Sequence, residues 1–175
     1  METIAYSNPQ SLTQRDLAEI GAAKKTLDMA AYSLTHRAII EALIQRATAG
    51  VTIRLYLDHT ELAASIREAG GISLCPIARL LYQPGVTIKV KASTVLMHLK
   101  SYCVDGIRLR DGSANLTVPG EEQQDNSATW SDDAGLCLAF GLKFDQMWNR
   151  PDNITPQAVA ATAPAQHQSS KRTDH

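Results

Sequence analysis

This chain of 175 residues has few aromatic residues, no long apolar run and almost no excess of charge of either sign. Aromatic side chains make up 5% of the sequence, so we expect a core of Ala, Leu, Ile and Val. No segment approaches the roughly 20 consecutive apolar residues of a membrane span, which argues against stable membrane insertion. The formal net charge is -1, and bulk electrostatics therefore gives no signal for nucleic acid or a membrane surface.

Cysteines are few as well. Cys75, Cys103 and Cys137 are odd in number and widely spaced, so they offer neither a fully paired disulfide set nor the spacing of a zinc site. Buried thiols in a reducing compartment are the simplest explanation. The first residues, METIAYSNPQSLTQRD, lack the basic start and apolar run of a signal peptide. We therefore expect a cytoplasmic protein without a metal ion or other cofactor.

The spacing of apolar residues predicts one domain over residues 1–150 in which helices and strands alternate. Helices are expected at 12–25, between Thr35 and Gly50, and between Asp58 and Gly70. Strands are expected at 27–33, 51–57, 86–90, 96–104, 107–110 and 135–140. This order favours parallel strands with right-handed crossovers, and Asp105-Gly106 predicts a hairpin turn. Residues 151–175 are rich in Ala, Pro, Gln and Ser, which predicts a disordered tail.

One group of polar residues has a fixed spacing. The stretch from His98 to Asn115, HLKSYCVDGIRLRDGSAN, follows the pattern H-x-K-x4-D-x6-G-S-x-N. Six specified positions would arise by chance in such a chain with a probability of about 10⁻⁵ or less. The candidate site residues are His98, Lys100, Asp105, Ser113 and Asn115.

These residue types suit phosphoryl transfer. The neutral imidazole of His98 is a competent nucleophile toward phosphorus when a partner orients its ring. Lys100 lies two residues further along a predicted strand and so shares a face with His98. Its ammonium can stabilise the negative charge of the phosphoryl oxygens. Ser113 and Asn115 add neutral donors, and together these groups can provide the charge stabilisation that other enzymes assign to metal ions.

The remaining polar candidates are weaker. Asp105 begins the turn with Gly106, where its carboxylate can accept bonds from backbone amides. A structural role is therefore favoured for Asp105 over direct catalysis, although it is retained among the candidates. Gly112 allows a close approach of the backbone. Surface or capping roles are expected for His36 and His59, and packing roles for Tyr32 and Ser33.

The motif identifies the chain as a member of the phospholipase D superfamily, and it resembles the single-motif HxKxxxxD subgroup of small bacterial endonucleases. The segment MAAYSLTHRAIIEALIQRATAGVTIRLYLD is also similar to that family. The resemblance implies an α/β/α sandwich around a mixed, largely parallel sheet. It further implies a two-step, metal-free reaction through a phosphohistidine, with two motifs in one active site. Because this chain contains one motif, the resemblance implies a homodimer that supplies the second.

One position departs from the family pattern. Single-motif relatives usually have a glutamate about eleven residues after the motif asparagine, where it helps to orient the histidine, and this chain has Asn126 there. Asp125 or Glu122 could substitute for that glutamate, or the amide of Asn126 could hold the ring itself. The leading hypothesis remains a metal-independent endonuclease acting on DNA or RNA. The alternatives are a phospholipase D acting on phospholipid head groups and a catalytically weak nucleic-acid-binding homologue.

The cations of the chain are concentrated between Arg79 and Arg110, where the acidic residue is Asp105. Such a run could form a positive site for a nucleic acid on a protein of near-neutral charge. Ordinary solvated charge is the interpretation that the run alone favours.

Overall fold

The computed structural model of the protein describes residues 2–162. The chain forms one sheet of seven strands. The strands are β1 (Glu2–Tyr6), β2 (Thr26–Ala31), β3 (Thr52–Leu57), β4 (Val86–Val90), β5 (Lys100–Val104), β6 (Arg108–Gly112) and β7 (Ser127–Ser131). The helices are α1 (Thr13–Gly21), α2 (Arg37–Thr48), α3 (His59–Ala69), α4 (Ala134–Trp148) and α5 (Pro156–Thr162). A 3-10 helix spans Pro76–Tyr82, and a π-helical turn spans Pro119–Gln123.

The strand order across the sheet is β1-β7-β6-β5-β2-β3-β4. The pairs β2–β3 and β3–β4 are parallel, and the other four pairs are antiparallel. A mixed sheet is therefore confirmed, but it is less parallel than the sequence suggested. The reason is that β5 and β6 form a hairpin and that β7 and β1 continue the sheet from β6 in antiparallel pairs.

Helices cover both faces of the sheet, which confirms the α/β/α architecture. One face packs against α1, α2, α3, the 3-10 helix and α5 through a core of aliphatic side chains. The other face packs against α4, whose buried residues recur at helical spacing: Cys137, Phe140, Phe144, Met147 and Trp148. Several of the few aromatic residues, Tyr56, Phe140, Phe144 and Trp148, pack together between α4 and this face of the sheet.

The predicted strand at 135–140 is wrong, because these residues form the first half of α4. The side chain of Asp133 accepts a hydrogen bond from the backbone N–H of Leu136 and caps the helix. The short apolar run in GLCLAFG resembles a buried strand but continues at helical spacing to Trp148. The strands β1 and β7 were missed, since each is short and contains only one or two large apolar residues among small and polar ones.

The boundary predicted at residue 150 is also wrong. Ile154 pairs with Val90 at the edge of β4, and Val159 of α5 is fully buried against the main core. The side chain of Asn153 accepts a hydrogen bond from the Tyr56 hydroxyl at 2.8 Å. Residues 151–162 are therefore part of the domain, and the rest of the predicted tail, 163–175, lies outside the described residues.

Candidate active site

Most of the motif lies at one edge of the sheet. β5 begins at Lys100 and the antiparallel β6 ends at Gly112, so the two ends of the motif meet there. The parallel strands β2 and β3 end at the same edge, since β2 is antiparallel to β5. The fold therefore brings His98 and Lys100 to the same side of the molecule as Ser113 and Asn115.

His98 and Lys100 both contact the ring of Tyr32, the residue after β2. The ring centroids of Tyr32 and His98 are 4.5 Å apart at an interplanar angle of 63°, an edge-to-face contact. Lys100 Nζ lies 4.5 Å from the centroid of the Tyr32 ring and donates to the His98 carbonyl at 2.8 Å. His98 is exposed, whereas Lys100 is buried. Tyr32 thus packs as expected, and its packing partners are two of the candidate site residues.

The charge of Lys100 is partly removed from water. The pKa of Lys100 is lowered, chiefly by burial and to a smaller extent by the charge of nearby Arg110. The carboxylates of Glu61 and Asp58 act in the opposite direction. An ammonium group in such surroundings interacts with an anionic oxygen more strongly than one in bulk water. Lys100 is therefore suited to bind a phosphoryl oxygen.

Asp58 fixes the backbone that leads to His98. Its Oδ1 accepts from the N–H groups of Thr60 at 2.8 Å and Glu61 at 3.1 Å, which caps α3. Its Oδ2 accepts from the N–H of Met97, the residue before His98, at 2.7 Å. The aspartate before a helical pattern could have revealed the cap, but no local signal in the sequence connects Asp58 with Met97.

Gly112 allows β6 and β7 to approach closely before Ser113. A Cβ atom on Gly112 would lie 2.3 Å from the carbonyl oxygen of Ser127. The Ser113 hydroxyl accepts from the N–H of Ser127 at 3.0 Å and donates to Oδ1 of Asn126 at 3.0 Å. The close strand pairing therefore fixes the position of the Ser113 side chain.

Asn115 belongs to the same edge and is held by the turn that follows it. A Cβ atom on Gly120 would lie 2.4 Å from the Asn115 carbonyl oxygen, so a glycine is needed there. The side-chain Oδ1 of Asn115 is buried and has no hydrogen-bond partner in the described part of the chain. The motif asparagine thus keeps an unused polar atom beside Ser113.

Asn126 does not orient the imidazole within one chain. Its Oδ1 accepts from Ser113, and its Nδ2 donates to the Gly120 carbonyl at 3.2 Å. Across residues 2–162, the ring contact made by His98 is the one with Tyr32. The amide therefore supports the Ser113 loop instead of the histidine.

The two acidic neighbours of Asn126 are also engaged elsewhere. Glu122 Oε1 accepts from the Thr13 hydroxyl at 3.0 Å and lies 3.4 Å from Nε2 of His36. Asp125 accepts from the Asn8 side chain at 3.2 Å. Neither carboxylate replaces the usual glutamate within the chain. Of the surface or capping role expected for His36, the surface position is wrong because the residue is buried; it is the N-cap residue of α2, although its side chain makes no capping hydrogen bond.

Asp105 lies at the opposite edge of the sheet, beyond the end of β5. Its carboxylate accepts from the backbone N–H groups of Lys24, Lys25 and Thr26 at 2.8–2.9 Å. Burial alone would raise the pKa of Asp105, but these hydrogen bonds outweigh it and lower the pKa. β5 is roughly 17 Å long at about 3.3 Å per residue, so the structure separates Asp105 from His98. Its place among the catalytic candidates is corrected to a structural one.

A buried cluster of charged side chains, centred on Arg110, contacts the backbone of the site at Lys100. The guanidinium of Arg110 is fully buried and donates to the carbonyl of Lys100. It also donates to Oε1 of Glu121 at 3.0 Å, and its Nε lies 3.6 Å from Oδ2 of Asp16. Asp16 accepts in turn from the Tyr102 hydroxyl at 2.7 Å. The backbone of Lys100 is therefore tied to α1 and to the π-helical turn.

One of the two buried carboxyl groups holds a proton. Burial, followed by the charge of Asp16, raises the pKa of Glu121 to about 9, although Arg110 opposes this rise. Oδ2 of Asp16 and Oε2 of Glu121 are both buried without a partner among the described residues. A proton on Glu121 supplies the donor that these oxygens need.

The basic run does not form one positive surface. Arg79 pairs with Glu41, and Arg108 lies 3.3 Å from Glu19. Arg110 is buried, and Lys89 donates to the Trp148 carbonyl at 2.9 Å. Within the described chain, Lys91 and Lys100 are the members of the run at the site edge, since Lys91 follows β4.

Two surfaces flank the candidate site. A groove beside Ser113 is lined by Tyr6, Ser7, Asn8, Ser113, Asp125, Asn126 and Ser127. The Tyr6 side chain is 61% exposed. On the other side, the segment before His98 exposes Val95 and Leu96, at 71% and 48%. The site thus lies between a polar groove and a small apolar projection.

The remaining predictions from the sequence concern the cysteines, possible metal ligands and apolar helices. Cys75, Cys103 and Cys137 are buried free thiols, as expected. Across residues 2–162, no group of three or more His, Cys, Asp or Glu side chains could hold a metal ion. No helix in this range has the length and apolar character needed to cross a membrane.

Sequence comparison adds family information to this geometry. The profile described as "Cardiolipin synthase, PLD-like domain" matches residues 17–148. The mitochondrial cardiolipin hydrolase of Chlamydomonas reinhardtii is 24% identical over 144 residues, covering 82% of this chain and 60% of that protein. The mitochondrial cardiolipin hydrolase of Xenopus tropicalis is 25% identical over 130 residues, covering 74% and 58%. The chain therefore spans about three-fifths of the length of these relatives.

Structural comparison identifies the same fold. The crystal structure of Nuc from Salmonella typhimurium, a phospholipase D family member, superposes with a TM-score of 0.74 at 24% sequence identity. The match covers 88% of this chain and 97% of that chain. The similarity therefore extends over nearly the whole of that structure.

The proton on Glu121 predicts a pH-dependent stability. The pKa of Glu121 in the folded protein lies above the ordinary unfolded value of about 4.3, so folding retains a proton between these values. The free energy of unfolding should therefore fall as pH rises toward 9, by up to roughly 1.4 kcal/mol per pH unit. Glu121→Gln keeps a donor for Asp16 and should remove this fall. Urea unfolding of both proteins between pH 5 and pH 9 measures the difference.

The exposed Glu68→Gln is the matched control, and it should leave the pH dependence unchanged. A Glu121→Gln protein whose stability follows the wild-type pH profile would show that Glu121 holds no extra proton.

Proposed function

Because the chain belongs to the phospholipase D superfamily, we propose that it is a metal-independent phosphodiesterase that forms a phosphohistidine at His98. The observation that carries the proposal is the meeting of an exposed imidazole, a buried ammonium and the Ser113–Asn115 loop at one edge of the sheet. These are the nucleophile and charge-stabilising groups that a phosphodiester needs.

The proposed reaction uses two histidines, one as the nucleophile and one as the general acid and base. A ring nitrogen of His98 attacks phosphorus, and the bond from phosphorus to the leaving oxygen breaks. A second histidine gives that oxygen a proton, then takes a proton from the water that attacks the phosphohistidine. Hydrolysis releases a phosphate monoester and restores His98. Lys100 and the Asn115 amide stabilise the charge on the two non-bridging oxygens in both steps. The Ser113 hydroxyl joins them by exchanging its hydrogen bond to Asn126 for one to a phosphoryl oxygen.

The second histidine comes from a second copy of the chain in this proposal. The described chain has one motif, and His98 is exposed at the edge of the sheet, where a two-fold axis can place two such residues opposite each other. A homodimer would thereby complete one site from two identical halves.

A nucleic acid is the substrate that we favour. The groove beside Ser113 supports this choice, because it is lined by polar side chains and the exposed Tyr6 can stack on a base. The resemblance of the motif to small endonucleases agrees. The basic run adds no support, since most of its members are paired or buried. The cytoplasmic location expected from the sequence stays a prediction.

A phospholipid head group is the alternative substrate. Val95 and Leu96 are exposed close to His98, and apolar side chains beside a reactive group suit the surface of a lipid aggregate. The names of the cardiolipin hydrolase relatives agree with this alternative. A catalytically weak nucleic-acid-binding homologue would retain the groove without turnover.

His98→Ala should lower the hydrolysis of a bis-aryl phosphodiester by roughly 10³-fold or more, in the presence of excess chelator, because it removes the nucleophile. Asp105→Ala is the matched motif control, since Asp105 lies at the opposite edge. It should lower Tm and leave turnover per folded molecule near that of wild type. The proposed mechanism fails if chelator abolishes turnover, or if His98→Ala retains it. Mass spectrometry of quenched wild-type protein should show an acid-labile phosphoryl adduct at His98.

Activity should depend on protein concentration, because each complete site needs two chains. Specific activity is expected to fall in parallel with the dimer fraction measured by analytical ultracentrifugation. Adding excess His98→Ala protein should also lower wild-type activity, because each hybrid dimer contains one His98 instead of two. A monomer that is fully active at high dilution would contradict the shared site.

Substrate choice can be tested with one variant of each flanking surface. Tyr6→Ala should lower kcat/KM on plasmid DNA or RNA by roughly tenfold, the value of a lost stacking contact, and leave the bis-aryl phosphodiester unaffected. Tyr82→Ala, which removes an exposed tyrosine elsewhere, is the control. Hydrolysis of phosphatidylcholine micelles that is lost in Leu96→Asp would favour the lipid alternative. Binding of DNA without cleavage of any substrate would identify the weak homologue.

A further inference from the structure

Tyr32 occupies an unusual position relative to the two main catalytic candidates. It follows β2 directly, and its backbone N–H donates to the carbonyl of Leu99 at 2.8 Å. Leu99 lies between His98 and Lys100, so this bond fixes the register of the chain at the site. The same residue therefore holds the motif through its backbone and contacts it through its side chain.

The ring of Tyr32 contacts each candidate in a different way. His98 meets it edge to face at 4.5 Å, a geometry that restricts the rotation of the imidazole. Lys100 places its ammonium 4.5 Å from the ring centroid, where the negative face of the ring attracts a cation. One aromatic ring thus sets both the plane of the imidazole and the direction of the ammonium.

Hydrogen bonds join the segments around Tyr32. Asp58 caps α3 and also accepts from the N–H of Met97, so one carboxylate connects the helix with the segment before His98. The pKa of Tyr32 is raised, first by burial and then by the negative charge of Glu61. Glu61, in the first turn of α3, therefore lies close to Tyr32. Tyr32 therefore lies, partly buried, between the end of β2, the start of α3 and the motif.

Within one chain, the side chains that the sequence suggested as orienting groups for His98 are engaged elsewhere. A histidine nucleophile is effective when its ring is held in one orientation, and the side chains of Glu122, Asp125 and Asn126 form their hydrogen bonds elsewhere. Among the described residues, Tyr32 is the aromatic side chain that contacts the His98 ring.

We infer that Tyr32 is a positioning residue that orients His98 and Lys100 for attack on the phosphodiester, in place of the glutamate that the sequence lacks. This inference rests on the proposed phosphodiesterase function. The ring of Tyr32 carries the effect, and its hydroxyl is not required. A phenylalanine at this position should therefore serve nearly as well, whereas an aliphatic residue should not.

Kinetics with a bis-aryl phosphodiester tests the role. Tyr32→Leu should lower kcat at least about tenfold and change KM less than about threefold, because substrate still binds while the nucleophile is poorly oriented. Tyr32→Phe should restore kcat to within about threefold of wild type. Tyr82→Leu is the matched control and should leave both constants unchanged. A Tyr32→Leu enzyme with wild-type kcat, or a Tyr32→Phe enzyme as slow as Tyr32→Leu, would overturn the inference.

A second measurement does not depend on turnover. The His98 Cε1–H signal, assigned by its loss in His98→Ala, should show a ring-current shift in the NMR spectrum of the wild-type protein and of Tyr32→Phe. Tyr32→Leu should lose that shift, while Tm stays within a few degrees. An unchanged His98 signal in Tyr32→Leu would overturn the inference even for an active enzyme. If wild type and His98→Ala are equally inactive on every substrate, the proposed function fails, and the NMR result still decides whether Tyr32 orients His98.

Discussion

The buried guanidinium of Arg110 is the constraint on which the rest of the site depends. A cation without access to water costs several kcal/mol unless anions and hydrogen bonds surround it. Asp16 from α1 and Glu121 from the π-helical turn meet this requirement, and the carbonyl of Lys100 completes it. Three segments that are distant in the sequence are thus fixed by one charge, and Lys100 is one of the residues that it fixes.

The chemistry of the site was more predictable than its support. His98, Lys100, Ser113 and Asn115 are recognisable because their spacing is fixed by one hairpin, which is a local property of the sequence. Asp58 and Tyr32 reach the site from other strands, so no local pattern shows that they contact Met97 and His98. The partners of Asn126 were similarly hidden, since the side chains of residues 122–126 could form hydrogen bonds in several directions.

The fold was predictable where apolar periodicity is strong. The helices α2 and α3 and the strands β2 to β6 lie close to their predicted positions. Prediction failed for β1 and β7, which pair with each other at one side of the sheet and contain small and polar residues. It also failed for α5, whose Ala-rich composition resembles a disordered segment although Val159 is buried. In both cases tertiary pairing outweighs a weak local preference.

The amide of Asn126 also affects how the site responds to acid. Ser113 donates its hydroxyl proton to a side chain that has no proton to gain or lose in ordinary solution. A carboxyl group in this place would turn from an acceptor into a donor on protonation and would compete for that hydroxyl. The hydrogen bond between Ser113 and Asn126 therefore stays the same in acidic and in alkaline solution.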